Sequence, residues 1–545
     1  MTTVDPAAIE VAPPAGRAIR FWRRCDALLE RAGDRLNPIL VKETRQALKS
    51  RQFTLTFVLV LAACWVWTIF GVAMIGPGIE YTTAGVDMFY GYYVILIAPL
   101  AVIVPYTAYR SLSAEREDNT YELLSISTLT PRQIISGKLG SALLQIIVFF
   151  SATAPCLAFT YLLRGIDIVT IGVLLFYAFF GSLGLSMIGL LLATATREKY
   201  GQVLMNVVLT IGLVYVFSMG AVGAGLMVAE RAAIFGGAEF WIVNGVLLTI
   251  YVTYFAMFFL AASAQITFAS ENRSTSLRVV MLIQHACLMG WVTWGWIYMN
   301  GDAGNAVPLS VIALLHWGIM GIFMVGESPH LSSRVKRSLP QSIVGRMCLT
   351  WFNPGPGTGY VFATCGMLAT LAMVLLALAI ASLAGYRTGR WMSWEMAIAF
   401  AAVCTAYVMI YLGLAKLILD GLRKIVAFNP AVSPVVNVLL VGAGTGIPLT
   451  IQMMSPTLRR SGYTMLQITN PFWTLVELGD GPTAATIVAP VTLVLSIAAV
   501  VVFALNLPGI VRELRHVRIA KPARVAEEDA ALQPPPEPVR TSPWD

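Results

Sequence analysis

Residues 113–124 read Ser-Ala-Glu-Arg-Glu-Asp-Asn-Thr-Tyr-Glu-Leu-Leu, a run that sets Glu115, Glu117 and Glu122 beside Leu123 and Leu124. An acidic patch with adjacent apolar side chains suits docking to a soluble partner, where desolvated charges set register and buried leucines supply affinity. On a helix, Glu115 and Glu122 share a face and Glu117 lies off it. A solvated loop with no partner would have the same composition. The following stretch, Thr130-Pro131-Arg132-Gln133 to Gly137-Lys138, reads as a helix start, with Thr130 as cap and Pro131 in the first turn.

Other chemistry is excluded residue by residue. A phosphate-cradling loop needs G-x-x-x-x-G-K-[ST]. The single Gly-Lys pair, Gly137-Lys138, is followed by Leu139 and has Arg132 where the first glycine belongs. There is no H-E-x-x-H and no G-x-S-x-G, and the four histidines (His285, His316, His330, His516) are far apart. The 7 cysteines form no C-x-x-C pair, and Cys64, Cys156, Cys287, Cys365 and Cys404 sit in apolar runs as small hydrophobes. The expectation is no catalytic residue, no metal, no cofactor bound by this chain, and no enzyme activity of its own.

The elements that must carry residues 113–138 follow from composition. Of 545 residues 57% are hydrophobic and 12% charged, with a mean hydropathy of +0.74. A soluble domain carries about 25% charged residues. This much apolar surface requires the bilayer as solvent, which makes the net charge of +8 a matter of topology and not of nucleic-acid binding. Crossing a ~30 Å hydrocarbon core takes about 20 residues. Apolar runs of that kind occur at 53–76, 86–109, 139–163, 168–195, 203–228, 241–262, 279–299, 307–327, 361–384, 394–419, 434–455 and 484–508. With the N-terminus inside, all but six of the 37 Lys and Arg fall on the inner side; the exceptions are Arg164, Arg231, Arg387, Arg390, Arg459 and Arg460. That asymmetry obeys the positive-inside rule. The predicted fold is an all-α polytopic bundle of about twelve spans with both termini cytoplasmic, in a bacterial cytoplasmic membrane. No cleavable signal is expected; the first span serves as its own insertion signal.

Four segments follow: an N-terminal arm at 1–52, a six-span unit at 53–262 with the acidic loop at 110–138, a second six-span bundle at 263–508, and a disordered tail at 509–545. In the arm, Asn37 and Pro38 start a basic amphipathic helix with Lys42, Glu43, Arg45 and Lys49, placed on the inner leaflet. The loop at 328–360 reads as a hinge between bundles or as a plain linker. The spans hold almost no charge. Their midplane polar groups, Asn206, Gln284, His316, Asn437 and Gln452, suit interhelical hydrogen bonds better than substrate contacts. The lack of midplane carboxylates argues against an ion-coupled secondary transporter.

The run Glu115-Arg116-Glu117, with Thr120, Glu122 and Leu124 and closed by Gly137-Lys138, resembles the permease subunits of ABC exporters of the second type. Their first inner loop carries a pattern close to E-R-E-x-G-T-x-E-x-L. Asn119 stands where glycine is usual, and Asn tolerates a left-handed turn. The resemblance is specific over about 37–165. It implies that Glu115, Arg116, Glu117, Thr120, Glu122, Leu123 and Leu124 form the element that seats in a separate P-loop ATPase subunit, flanked by the amphipathic helix. It implies ATP and magnesium on that partner, and a homo- or heterodimer of permeases. The outer Asn470-Pro471-Phe472-Trp473 is similar to the re-entrant segment of such permeases. Whether 279–508 is a degenerate second permease unit or an added bundle stays open. A scaffold or maturation factor that uses an ATPase stroke without moving solute is the alternative.

Overall fold

A computed structural model describes residues 37–532 apart from 77–82, 118–128, 197, 231–236, 269, 299–302, 330, 338–341, 384–391, 426–431, 481–483 and 519–522. Every element among the described residues is helical, and twelve helices are long and apolar enough to cross a bilayer. In hydrocarbon each backbone N–H and C=O must be paired within the protein, which a helix achieves segment by segment. The chain is therefore a multi-pass all-α membrane protein, and each predicted span coincides with one long helix. It divides into two compact units. One runs to Asn244 and takes Phe258–Ile266; the other takes Gly245–Met257 and the chain from Thr267 onward.

In the first unit, α1 (Pro38–Leu48) starts as expected, with Asn37 Oδ1 accepting from Ile39 N and Pro38 in the first turn. Ser50 caps α2 (Arg51–Ile75). The remaining helices are α3 (Gly85–Glu117), α4 (Pro131–Leu162), α5 (Ile168–Ala195), α6 (Lys199–Glu230) and α7 (Ala238–Ile266), the last shared with the second unit. The apolar stretch of α3 is 56% buried, against 11% for α2. So α3 is the axis, packed by α2, α4, α5 and α6, while α2 exposes Leu59, Trp65, Val66 and Ile69 as a lipid-facing surface requires. Residues Pro99–Ile103 form a π turn inside α3. Its cause is local: Pro105 has no N–H to close the α ladder, and the Leu100 carbonyl is taken by Ser182 Oγ of α5 at 2.6 Å.

The apolar run ends the predicted second span at 109, ahead of the acidic stretch 113–124. The structure instead carries α3 unbroken to Glu117, because a helix that leaves the hydrocarbon need not stop there. By contrast α4 begins where the sequence reads a helix start, with Thr130 as cap and Pro131 in its first turn, and Gln133 completes a reciprocal capping box.

The second unit contains α8 (Thr275–Tyr298), α9 (Ala306–Val325), two short helices α10 (Ser333–Arg337) and α11 (Ile343–Leu349), then α12 (Pro356–Leu383), α13 (Trp394–Leu422) and α14 (Val432–Met454). Next come α15 (Pro471–Asp480), α16 (Ala484–Arg518) and α17 (Ala523–Leu532). The most buried span is α13, at 67%, enclosed by α9, α12, α14 and α16. The segment at 328–355 lies inside this unit and is no hinge between the two.

Candidate functional site

Lys138, on the first turns of α4, is 2% exposed. Its Nζ lies 3.0 Å from Glu43 Oε1 of α1 and 3.1 Å from Glu115 Oε2 of α3, and it donates to the Ser111 carbonyl at 3.0 Å. Lys42 approaches Glu115 from the exposed side at 3.8 Å. Two lysines thus face two glutamates where α1, α3 and α4 converge. A buried ammonium is tolerated only when paired and hydrogen-bonded, and removing one partner of such a cluster costs about 3–5 kcal/mol. Gly137 makes the approach possible. A Cβ there would sit 2.8 Å from Ile39 Cβ, so only glycine lets α1 lie this close to α4. Asn37 reinforces the contact by donating from Nδ2 to the Gln133 carbonyl.

The other predicted residues separate. Arg116 turns from the loop and donates to the carbonyls of Thr194 (3.1 Å) and Thr196 (3.2 Å), closing the C-terminus of α5. Glu117 is exposed, 3.3 Å from Arg110. Arg45 and Lys49 are exposed and, with Lys42, Val41 and Pro38, border an open depression of about 630 Å³ on the outward side of α1. Thr120, Glu122, Leu123 and Leu124 lie outside the described residues. Sequence reasoning took Lys138 as the end of a motif and missed it as a clamp. The available signal was a lone lysine entering an apolar run, which must find a carboxylate.

The second unit holds a comparable arrangement that the sequence did not announce. Arg278 of α8 is fully buried and lies 2.5 Å from Glu327, the second residue after α9. It also donates to the Gly355 carbonyl (3.2 Å) and Thr358 Oγ1 (3.1 Å). Glu327 accepts in turn from Ser274 Oγ (2.6 Å) and Gly355 N (2.8 Å). Nearby, Lys416 and Arg423 each lie 2.8 Å from Asp420.

Of the predicted intramembrane polar residues, His316 alone makes the hydrogen bond to another span that the sequence suggests, and both side-chain polar atoms of Gln284 are buried without one. Asn437 Nδ2 donates to the Ser433 carbonyl of its own helix (2.9 Å). Gln452, read as a midplane group, instead holds the segment that follows α14: it donates to the carbonyls of Leu458 (3.2 Å) and Gly462 (2.6 Å) and accepts from Gln467 (2.7 Å). Asn470 then caps α15, with its Oδ1 accepting from Trp473 N at 3.2 Å. Asn206 has a buried Oδ1 without a hydrogen bond. His316 stands apart from these: its ring centroid is 5.7 Å from that of His285 and 4.9 Å from Trp317. Its Nε2 donates to the Met281 carbonyl (3.1 Å), while His285 Nε2 faces Thr370 Oγ1 (3.3 Å). The histidines of α8 and α9, distant in sequence, are neighbours in space. Among the described residues no group of three or more His, Cys, Asp or Glu could hold a metal.

No family model, curated protein or solved structure matches the chain.

Proposed function

We propose that this chain is the membrane-spanning subunit of an ATP-driven exporter in a bacterial cytoplasmic membrane, worked by a P-loop ATPase on a separate chain. The observation that best supports this reading is the Lys138 cluster. It joins the helix that enters segment 118–130 to the helix that leaves it, and braces both with α1. A force applied to that segment then moves α3 and α4 together instead of bending the connection. Glu117, exposed at the loop's edge beside Arg110, would meet a cationic groove on the partner, and Glu122, Leu123 and Leu124 follow it in sequence. Glu115 serves the clamp and Arg116 ties the base to α5. ATP and magnesium belong to the partner. The charge balance of the sequence supports a cytoplasmic position for this face, where an ATPase would meet it.

The test is purification of the chain from its native membrane in mild detergent, where a P-loop ATPase should come with it, followed by reconstitution of the two in proteoliposomes. Turnover should rise above that of the ATPase alone; an unchanged rate contradicts the reading. The His285–His316 pair gives the ion-coupled reading its one specific support, because imidazoles are the usual proton carriers near neutral pH.

A further inference from the structure

An interfacial amphipathic helix ordinarily buries its apolar side in the acyl chains. Helix α1 turns that side to protein instead. Ile39 lies on Gly137 and Leu40 on Gly140 of α4, where an added Cβ would come within 2.8 Å of Ile39 Cβ and 2.7 Å of Leu40 Cδ1. Glu43 is held on the same side by Lys138. The opposite side presents Lys42, Arg45, Gln46 and Lys49, which occupy positions i, i+3, i+4 and i+7 of one helical stripe and are all exposed. Arg51, exposed at the start of α2, continues the stripe. Lys42 has Glu115 at 3.8 Å; among the described residues no carboxylate lies within ion-pair distance of Arg45, Lys49 or Arg51.

Two contacts fix the level of this stripe in the membrane. The N-terminal end of α1 meets α4 at Gly137 and Gly140, on either side of Leu139, where the third apolar run begins. Its C-terminal end passes through Ser50, the cap of α2, into the first apolar run at Phe53. Both ends therefore stand where a span enters the hydrocarbon. A helix of 11 residues is about 16 Å long. Standing along the bilayer normal, its ends would differ in depth by that much. So α1 lies along the membrane surface, and its basic stripe is at the level of the headgroups.

We propose that this face binds the headgroup of an acidic phospholipid of the inner leaflet, with Arg45 and Lys49, one turn apart, donating to the phosphodiester. Four exposed cations between Lys42 and Arg51, immediately before a span, form the pattern that an anionic leaflet attracts. The guanidinium supplies a planar fork of donors that matches phosphate oxygens. The open depression of about 630 Å³ on this side of α1 leaves room for the headgroup. Helix α1 is then fastened on two sides, to α4 through Ile39 and Glu43 and to the leaflet through its cations. Lipid composition thereby sets how firmly the Lys138 junction is braced.

The experiment is photocrosslinking of the full chain in nanodiscs of equal phosphatidylglycerol and phosphatidylcholine. Gln46→Cys in a cysteine-free background, labelled with benzophenone maleimide, places the reactive group in the middle of the stripe, and mass spectrometry identifies the adducts. Phosphatidylglycerol should be enriched over phosphatidylcholine, and raising the ionic strength should reduce the enrichment. Arg45→Gln with Lys49→Gln, which leaves the Lys138 cluster intact, should cut it about 25-fold, at about fivefold for each basic residue near an anionic surface. Arg45→Lys with Lys49→Arg keeps both charges and should retain most of it. Adducts in the bulk lipid proportion, or an enrichment that survives Arg45→Gln with Lys49→Gln, would overturn the proposal. The same crosslink in native membranes should give lipid adducts. A predominant protein adduct there, with an ATPase, a second copy or another part of this chain, would assign the face to that contact and overturn the lipid site.

Discussion

Lys138→Met removes the cation at the centre of the α1–α3–α4 junction and keeps its apolar stem. Glu43, 8% exposed, and Glu115 would then lose the cation they share, with the exposed Lys42 still beside Glu115. Breaking a buried ion cluster in this way costs about 3–5 kcal/mol. Here the loss falls on a local contact, so it appears as opening of α1 from α4 before any global unfolding. At a factor of ten per 1.4 kcal/mol, protection of the α1 amides against hydrogen exchange should drop about 100- to 5,000-fold. Amides in the middle of α5, remote from the junction, should keep theirs. The companion triple variant Lys138→Met, Glu43→Gln, Glu115→Gln removes every charge from the cluster core. It should recover most of the protection, because replacing a whole buried cluster is often neutral. The assay is hydrogen exchange by mass spectrometry in detergent micelles. Protection of residues 38–48 unchanged in the single variant, or lost equally in the triple, would refute the clamp.

Three further outcomes follow from the same reasoning. Asp167 caps α5 through Thr170 N (2.9 Å) and Thr170 Oγ1 (2.6 Å); partial burial works against ionisation, but these hydrogen bonds outweigh it and hold its carboxyl below the usual aspartate range. A depressed folded-state pKa gives stability that is present above the unfolded pKa and lost as pH falls through the folded one. Asp167→Ala should therefore cost about 0.5–2 kcal/mol near neutral pH, with the difference from wild type shrinking below pH ~4 in a thermal-unfolding series; a difference independent of pH would exclude the carboxylate cap. A single cysteine at Ser461 in a cysteine-free background should react with an impermeant thiol reagent added to intact cells, whereas one at Ser332 should not, and labelling at Ser332 would invert the topology. His316→Gln should leave the rate of export and its pH profile unchanged, whereas a shifted pH optimum would favour ion coupling over the exporter reading.

The spans were legible because the bilayer imposes one rule on length and hydropathy, and caps such as Asn37-Pro38 and Thr130-Pro131-Gln133 are local chemistry that a sequence carries openly. What joins the elements was not legible. Glu43 meets Lys138 across 95 positions and Arg278 meets the Gly355 carbonyl across 77, so no periodicity announces either. Gly137 read as part of a pattern, yet its physical role is to leave no Cβ under Ile39. The limit predicted for the second span, 109, marks the end of an apolar run, whereas the helix runs on to Glu117 on side-chain contacts to its neighbours. His316 was legible as a midplane polar group, but its pairing with His285 was not, because antiparallel spans bring together residues that lie far apart in sequence.

Glu117→Ala with Glu122→Ala tests the central claim most directly, because neither change touches the Lys138 cluster. Losing one partner of a desolvated pair costs about 2–5 kcal/mol, roughly a 30- to 5,000-fold drop in affinity. The measurement is the yield of P-loop ATPase co-purified from the native membrane in mild detergent with wild type and with the double variant at equal membrane expression. The exporter account predicts that the variant inserts and purifies as a monodisperse protein but loses the ATPase. A variant that retains the ATPase at wild-type yield would show that the segment after α3 is not the coupling element.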